Sequence, residues 1–222
     1  MKRHGFLQPV TGLVLIVFLL IGCGRTRIDT AHHPNGNLMY EITYRGDTKH
    51  GPTVFYYHDG RKEAEYNYHN DALHGRTARW YFNGNMEYEE FYRDNQLHGL
   101  SRRYFNTGAL SIETHYRNGE LHGEHTEYWE NGTVKVQGAH YHGMFDGTWK
   151  YYDQQGLKVG EATFDKGTGV MTAYHPNGNK HKEIHYLDNV KHGTETTWDL
   201  FGTKIKQVEY NLGNPLIERN FQ

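Results

Sequence analysis

Histidine stands directly before glycine at five regularly placed positions of this sequence, and these side chains could bind metal or act as acid–base groups. Imidazole is the commonest metal ligand in proteins and titrates near neutral pH. The pairs are His50-Gly51, His74-Gly75, His98-Gly99, His122-Gly123 and His192-Gly193. Such a row indicates either a set of metal or catalytic sites or a structural feature that recurs along the chain.

Glutamates form a second row with chemical potential. Two carboxylates about 5–10 Å apart can catalyse glycoside hydrolysis. The row consists of Glu41, Glu65, Glu89, Glu113, Glu161 and Glu183, and Gln137 and Gln207 complete the series. The sequence has no serine–histidine–acid order, phosphate-binding glycine loop or cysteine pair. The chemistry therefore depends on whether the residues of either row can converge.

A repeated unit of about 24 residues underlies both rows. Glycines in turn-like contexts are spaced by 24 residues five times, then by 22 and by 24, at Gly36, Gly60, Gly84, Gly108, Gly132, Gly156, Gly178 and Gly202. An aromatic residue stands four places before seven of them, for example Tyr56, Trp80, Tyr104 and Tyr128. Another aromatic stands eight places after most of them, and His140 breaks that series. A fixed period is typical of repeat architectures.

Each unit is predicted to be a β-hairpin, followed by a looser turn to the next unit. Proline in Pro34-Asn35-Gly36 and Pro176-Asn177-Gly178 favours a three-residue loop that ends on a left-handed glycine. Side chains alternate along a strand. The aromatic that precedes each turn glycine is therefore expected to share a face with the residues two, four, six and eight places after that glycine. The glutamates are expected on the opposite face.

This arrangement argues against chemistry in both rows. Equivalent residues of neighbouring units lie two strands apart, roughly 9–10 Å. Zinc needs ligand atoms about 2.0–2.1 Å from one centre. We therefore predict that the His-Gly pairs are a structural part of the repeat and that no metal or cofactor is bound. We interpret the glutamates as a solvated face, paired with neighbours such as Arg102 or Lys150.

The N-terminus has the pattern of an export signal. Lys2, Arg3 and His4 precede an apolar run from Val10 to Gly22 that is too short for a membrane span of about 20 residues. Leu20-Ile21-Gly22-Cys23 resembles the bacterial lipobox, in which the cysteine is lipidated. Cys23 is the only cysteine. We predict a signal peptide at residues 1–22 and a lipidated tether at 23–31, and Gly24 favours an outer-membrane address facing the periplasm.

Two stretches of the repeat resemble a known family. HGRTARWYFNGNMEYEEFYRDNQLHG (74–99) and HGLSRRYFNTGALSIETHYRNGELHG (98–123) are similar to the variant MORN repeat of bacterial YwqK-like, antitoxin-like proteins. The resemblance covers residues 32–217, leaves 218–222 as a tail, and supplies no catalytic residue. It implies an all-β, elongated, single-layer antiparallel sheet of about eight hairpins. The composition agrees, with only 36% hydrophobic residues but 18 Tyr, 10 Phe and 4 Trp.

The sequence favours a lipid-anchored, non-enzymatic binding or scaffold protein of the cell envelope. A net charge of −2 gives no basic footprint for nucleic acid. A protein partner is expected along the aromatic residues or at the irregular segment 132–178, and the candidate contacts are Tyr56, Trp80, Tyr104, Tyr128 and Trp149. Trp149 lies outside the repeat register and is therefore the favoured contact. Two alternatives stay open: an antitoxin or immunity protein, and a cell-wall glycan binder or hydrolase.

Overall fold

The computed structural model describes residues 24–221 as one antiparallel β-sheet without helices. Residues 1–23, which include the predicted signal peptide and Cys23, lie outside this part of the chain. The strands are β1 Thr26–His32, β2 Leu38–Arg45, β3 Thr48–Tyr56, β4 Lys62–His69, β5 Ala72–Leu73, β6 Gly75–Trp80, β7 Met86–Arg93, β8 Gln96–Leu97, β9 Gly99–Tyr104, β10 Leu110–Arg117, β11 Glu120–Tyr128, β12 Val134–Tyr141, β13 Met144–Tyr152, β14 Lys158–Asp165, β15 Thr168–Tyr174, β16 Lys180–Leu187, β17 Val190–Trp198, β18 Lys204–Asn211 and β19 Asn214–Asn220.

The sheet is an open meander, because strands that follow one another in the chain pair with one another. The short strands β5 and β8 each continue into the next strand, so that β4 also pairs with β6 and β7 also pairs with β9. The predicted fold class, an all-β sheet of repeated hairpins, is confirmed.

The predicted three-residue loop is present in each unit. In the first unit the His33 amide donates to the Asn37 carbonyl at 2.8 Å, and the Gly36 amide donates to the His33 carbonyl at 2.9 Å. Gly36 has a φ of 85°, a left-handed value that a side chain makes costly. The turn glycines of the other units have the same conformation.

The turns between units are tighter than the sequence analysis expected. Asn118 and Gly119, which join β10 to β11, have φ values of 51° and 85°. Two consecutive positive φ values define a two-residue type I′ turn, whose twist matches that of the flanking strands. The prediction of a looser connection is therefore wrong. It failed because Asn-Asp and Asp-Asn pairs also adopt this turn without glycine.

The His-Gly pairs lie in bulges beside these tight turns. Between β10 and β11, Thr114 pairs with His125 and Tyr116 with Leu121, so three residues, 122–124, lie opposite the single residue His115. The glycine of the pair, Gly123, has a φ of 108°. The bulge adds two residues to one strand of the unit.

The unit with a 22-residue spacing has no such bulge. Strands β14 and β15 pair without interruption from Gly160 opposite Ala173 to Asp165 opposite Thr168. The connection there is shorter by two residues, which is the number that a bulge adds. The change of period therefore marks the loss of one bulge, and the rest of the hairpin is kept.

Candidate functional site

One face of the sheet carries the predicted glutamate row, and we call it the carboxylate face. Glu89 pairs in register with Ala78 and Arg102, and Glu113 pairs with Arg102 and Thr126. The pattern continues across the sheet, so that Gln137 and Glu161 both lie opposite Lys150. The predicted row is confirmed as a continuous line of side chains that crosses the strands.

Basic neighbours neutralise much of this row. The Arg102 Nε atom lies 2.7 Å from Glu113 Oε2, and its Nη1 atom lies 3.8 Å from Glu89 Oε2. Arg76 forms a second ion pair with Glu89. The predicted pairing of the row with Arg102 is thereby confirmed. Arg76 and Arg102 therefore tie these carboxylates into fixed ion pairs, an arrangement that suits a binding surface.

The aromatic residues four places before each turn glycine lie on this same carboxylate face. Val54 pairs with Glu41 and therefore lies on the carboxylate face. Tyr56 is two residues further along the same strand, so its side chain points to the same face. Tyr56 Oη donates to Glu41 Oε2 at 2.8 Å. These residues form what we call the aromatic row: Tyr56, Trp80, Tyr104, Tyr128, Tyr152, Tyr174 and Trp198.

The predicted facing of these aromatics is wrong, and a bulge in the register explains why. Tyr56 pairs with Lys62, but the preceding residue Phe55 pairs with Ala64, so Glu63 is an extra residue in the ladder. The extra residue moves positions four, six and eight after the glycine to the other face. Equivalent shifts occur before Trp80 and Tyr128. The other face, which we call the tyrosine face, carries Tyr40, Tyr66, Tyr88, Tyr116, Tyr186 and Tyr210.

Rings of the aromatic row stand apart from one another. They are half-buried, and within residues 24–221 no two of them form an aromatic pair. Strand spacing sets successive members roughly 9–10 Å apart. Lys62 Nζ lies 5.8 Å from the Trp80 ring centroid, and Lys180 Nζ lies 5.8 Å from that of Trp198. The two tryptophan rings therefore keep partly exposed apolar surface beside a lysine.

Hydrogen bonds join two tyrosines of the aromatic row to glutamates, and they shift the pKa of groups at these contacts. Burial and the bond to Glu41 raise the pKa of Tyr56 to about 12, so this phenol remains neutral. Tyr174 Oη donates to Glu161 Oε1 at 3.0 Å. The pKa of Glu161 is lowered by hydrogen bonds from Lys158 and from Tyr174. Tyr56 is thus a neutral phenol and Glu161 an ionised carboxylate on this side of the sheet.

The histidines of the His-Gly pairs bond to the next unit. His50 Nδ1 lies 3.2 Å from Asn70 Oδ1, and His98 Nδ1 lies 3.2 Å from Asn118 Oδ1. In each case the partner is the first residue of the following two-residue turn. The predicted structural place of these histidines in the repeat is confirmed. Within the described residues, no three His, Cys, Asp or Glu side chains are grouped as a metal site would require.

Trp149, the favoured contact residue, lies in the core of the tyrosine face. Its side chain is only 3% exposed, and it packs with Ala162 and Phe164. A Cβ atom on Gly138 would lie 2.2 Å from the indole Cδ2 atom, so the indole covers the backbone where other units carry a side chain. This burial argues against the preference for Trp149 as a partner contact, because the ring fills an interior space.

Two histidines that sequence reasoning did not single out surround this indole. The ring centroids of His140 and His125 lie 5.0 Å and 5.6 Å from that of Trp149. Burial, with a smaller contribution from His125, lowers the pKa of His140 to about 4. The break of the tyrosine series at His140 was the available signal, and its consequence is a neutral imidazole in the core.

A ladder of hydrogen bonds joins successive three-residue loops. Tyr57 Oη donates to the Trp80 carbonyl at 2.7 Å, and Tyr81 Oη donates to the Tyr104 carbonyl at 2.9 Å. The Asn83 side chain donates to the Asn106 carbonyl at 2.8 Å. Sequence reasoning missed this ladder, although its members recur at two fixed positions of the unit, three places and one place before the turn glycine. The ladder holds the loops in line and thereby fixes the spacing of the aromatic row.

Five segments of the chain match the model of the MORN repeat variant, at residues 30–45, 73–94, 97–118, 121–142 and 168–188. The chain carries MORN-variant repeats. No curated protein is significantly similar to the chain. The matched segments contain four residues of the aromatic row, Trp80, Tyr104, Tyr128 and Tyr174, and also Glu89 and Glu113. MORN repeats suggest a repeat-based binding or scaffold role.

The membrane-related predictions fall on other residues. Cys23 and the apolar run before it lie outside the described part of the chain. Within residues 24–221, no helix has the length and apolarity needed to cross a membrane. Lipid anchoring at Cys23 stays a prediction from the sequence.

Proposed function

We propose that the protein is a lipid-anchored, non-enzymatic scaffold of the bacterial cell envelope that binds a protein partner along the carboxylate face. The observation that carries this proposal is the aromatic row, in which half-exposed rings stand beside glutamates and bases across the sheet. Aromatic and arginine side chains are enriched at protein interfaces and supply most binding hot spots. The MORN-variant repeats support the same class of function.

A rigid row favours recognition over catalysis. Tyr56 and Tyr174 donate to glutamates of the row, and Arg102 is held between Glu89 and Glu113. Side chains that are fixed before binding lose little entropy when a partner docks. The same pairing engages the carboxylate oxygens in ion pairs and hydrogen bonds, which supports a binding role for the row.

The experiment compares partner capture by a variant that lacks two rings of the aromatic row with capture by a variant that lacks an exposed aromatic ring outside the row. Trp80→Ala/Tyr104→Ala removes two adjacent rings, and Phe82→Ala removes a side chain that is 50% exposed but lies in a loop. We expect crosslinking in intact envelopes to recover one protein in near-equal amount with the wild type and with Phe82→Ala. The row variant should recover much less of it, while its circular dichroism spectrum shows an intact sheet. Equal recovery by both variants would refute the proposed surface.

Envelope anchoring rests on the N-terminal sequence. The positively charged start, the short apolar run and the single Cys23 support export and lipidation, and Gly24 supports an outer-membrane address facing the periplasm. Cys23→Ser should abolish metabolic labelling with a fatty acid and leave an unprocessed precursor. Labelling that persists in this variant would contradict the anchor and would leave the binding surface untouched.

A further inference from the structure

A groove lined by basic side chains lies on the sheet beside the tight turns of the third to fifth units. It has a volume of about 430 Å³, and its lining includes Arg93, Arg117, His98, His115 and His122. Among the described residues that line it, none is acidic. We call this feature the basic groove, and it is separate from the aromatic row.

Two arginines occupy equivalent places in successive units of the basic groove. Arg93 ends β7 and Arg117 ends β10, and both strands pair with β9 between them. The two backbones are therefore roughly 9–10 Å apart, and the long side chains can approach one group from both sides. The first unit carries Arg45 at this place, and further units carry a different residue, for example His69 and Tyr141.

Both guanidinium groups lack a carboxylate partner, unlike other arginines of the same units. Arg76, Arg102 and Arg103 each lie within ion-pair distance of a glutamate. Within residues 24–221, neither Arg93 nor Arg117 has a carboxylate oxygen within 4.0 Å. Both side chains are exposed. Their five-donor planar groups are thus available for an external anion.

Histidines supply further donors, and nearby acids have other partners. His98 Nδ1 is engaged by Asn118, 3.2 Å from its Oδ1 and 3.4 Å from its backbone nitrogen, so Nε2 is the ring nitrogen left to meet a ligand. Asp94 lies 3.4 Å from His74, and Glu120 lies 2.9 Å from His142. Each of these acids therefore faces a histidine outside the groove, and no carboxylate is among the described residues that line it.

We propose that the basic groove is a binding site for a phosphate-type oxyanion, held between Arg93 and Arg117 and hydrogen-bonded by the histidines. Planar guanidinium groups match phosphate oxygens two at a time. The oxyanion is a free phosphate or pyrophosphate, or the headgroup of a phospholipid. All of these present the same group to the two arginines.

The test is a calorimetric titration of the full-length protein, purified in detergent, at constant ionic strength. One arm uses inorganic pyrophosphate and the other a short-chain, soluble phosphatidic acid. We expect saturable binding with one site per chain, weakened about tenfold for each guanidinium removed in Arg93→Gln and Arg117→Gln. Similar affinities in the two arms would assign recognition to the phosphate group itself, and tighter binding of the lipid would assign it to a headgroup. Either result supports the site.

Matched variants separate a site from general surface charge. Arg45→Gln removes the same repeat position from the first unit, outside the groove, and should leave binding unchanged. Arg93→Lys keeps the charge but loses the planar fork, and it should bind with intermediate affinity. The proposal is overturned if neither probe binds saturably, if the Arg93→Gln/Arg117→Gln double variant binds like the wild type, or if Arg45→Gln weakens binding equally.

Discussion

Gly138→Ala is expected to destabilise the fifth unit because the new methyl group would occupy the place of the Trp149 indole. The Cβ atom would lie 2.2, 2.4 and 2.6 Å from three indole atoms, where ordinary contacts require about 3.5–4.0 Å. The ring would have to move by more than about 1 Å. Phe145 and His140, with ring centroids 4.9 Å and 5.0 Å from it, obstruct that movement. Overpacking of this kind costs about 1–3 kcal/mol and occasionally more.

The second half of the experiment removes the indole. Trp149→Ala alone should cost about 3–5 kcal/mol, as expected for a buried tryptophan, and far more than Trp80→Ala, whose ring is half-exposed. In the Trp149→Ala background, Gly138→Ala should become neutral or stabilise by about 0.5–1 kcal/mol, because alanine is less costly than glycine in a strand. The two changes should therefore couple by about 1–4 kcal/mol.

Urea unfolding followed by circular dichroism measures the four free energies of the cycle. Hydrogen exchange of the amides in β12 and β13 reports whether the loss is local, as expected where each repeat contacts only its neighbours. The reasoning fails if Gly138→Ala costs the same with and without the indole, because the cost would then lie in the backbone. It also fails if Gly138→Ala is neutral in the wild type.

Three further outcomes follow from the tyrosine face and from the loop ladder. The pKa of His140 is about 4 in the folded chain and about 6.5 in the unfolded chain, so the folded chain binds fewer protons. The contribution of the neutral imidazole to the free energy of unfolding is therefore fully present above pH 6.5 and declines as the pH falls toward 4. Urea unfolding should show a loss of about 2 kcal/mol between pH 7 and pH 5 that disappears in His140→Tyr, and an equal loss in the variant would contradict this assignment. Tyr81→Phe removes the bond to the Tyr104 carbonyl and should cost about 1 kcal/mol in thermal or urea unfolding. Phe105, at the same position one unit later, lacks a hydroxyl, so Phe105→Tyr should gain up to about 1 kcal/mol; no gain would mean that the ring cannot reach the Tyr128 carbonyl.

Much of the fold could be predicted because turn glycines and prolines carry their conformational reasons in their own chemistry. Pro34 cannot donate a ladder hydrogen bond, and Gly36 tolerates a positive φ, so the three-residue loop follows from these two residues. The alternation of strands then placed the glutamates in one row. These inferences need only local rules.

The facing of the aromatic row could not be predicted, because one extra residue in the ladder reverses every side chain beyond it. Glu63 is that residue in the second unit, and nothing about a glutamate in a strand indicates a bulge. The type I′ turn at Asn70 and Asp71 was hidden for a related reason, since these residues adopt a positive φ less readily than glycine. Both features depend on the register of two strands, which a single strand's sequence does not contain.

The irregularity of residues 132–178 has a packing explanation, and this bears on where a partner binds. In the first two units Thr53 is a small central residue flanked by the larger Ile42 and Tyr66. In the fifth unit the pattern is inverted, since Trp149 is large and lies against Gly138 and Ala162. Such exchanges conserve volume across neighbouring strands, and cores tolerate them well. The departure from the repeat thus satisfies the interior, and the regular aromatic row on the opposite face remains the better candidate for recognition.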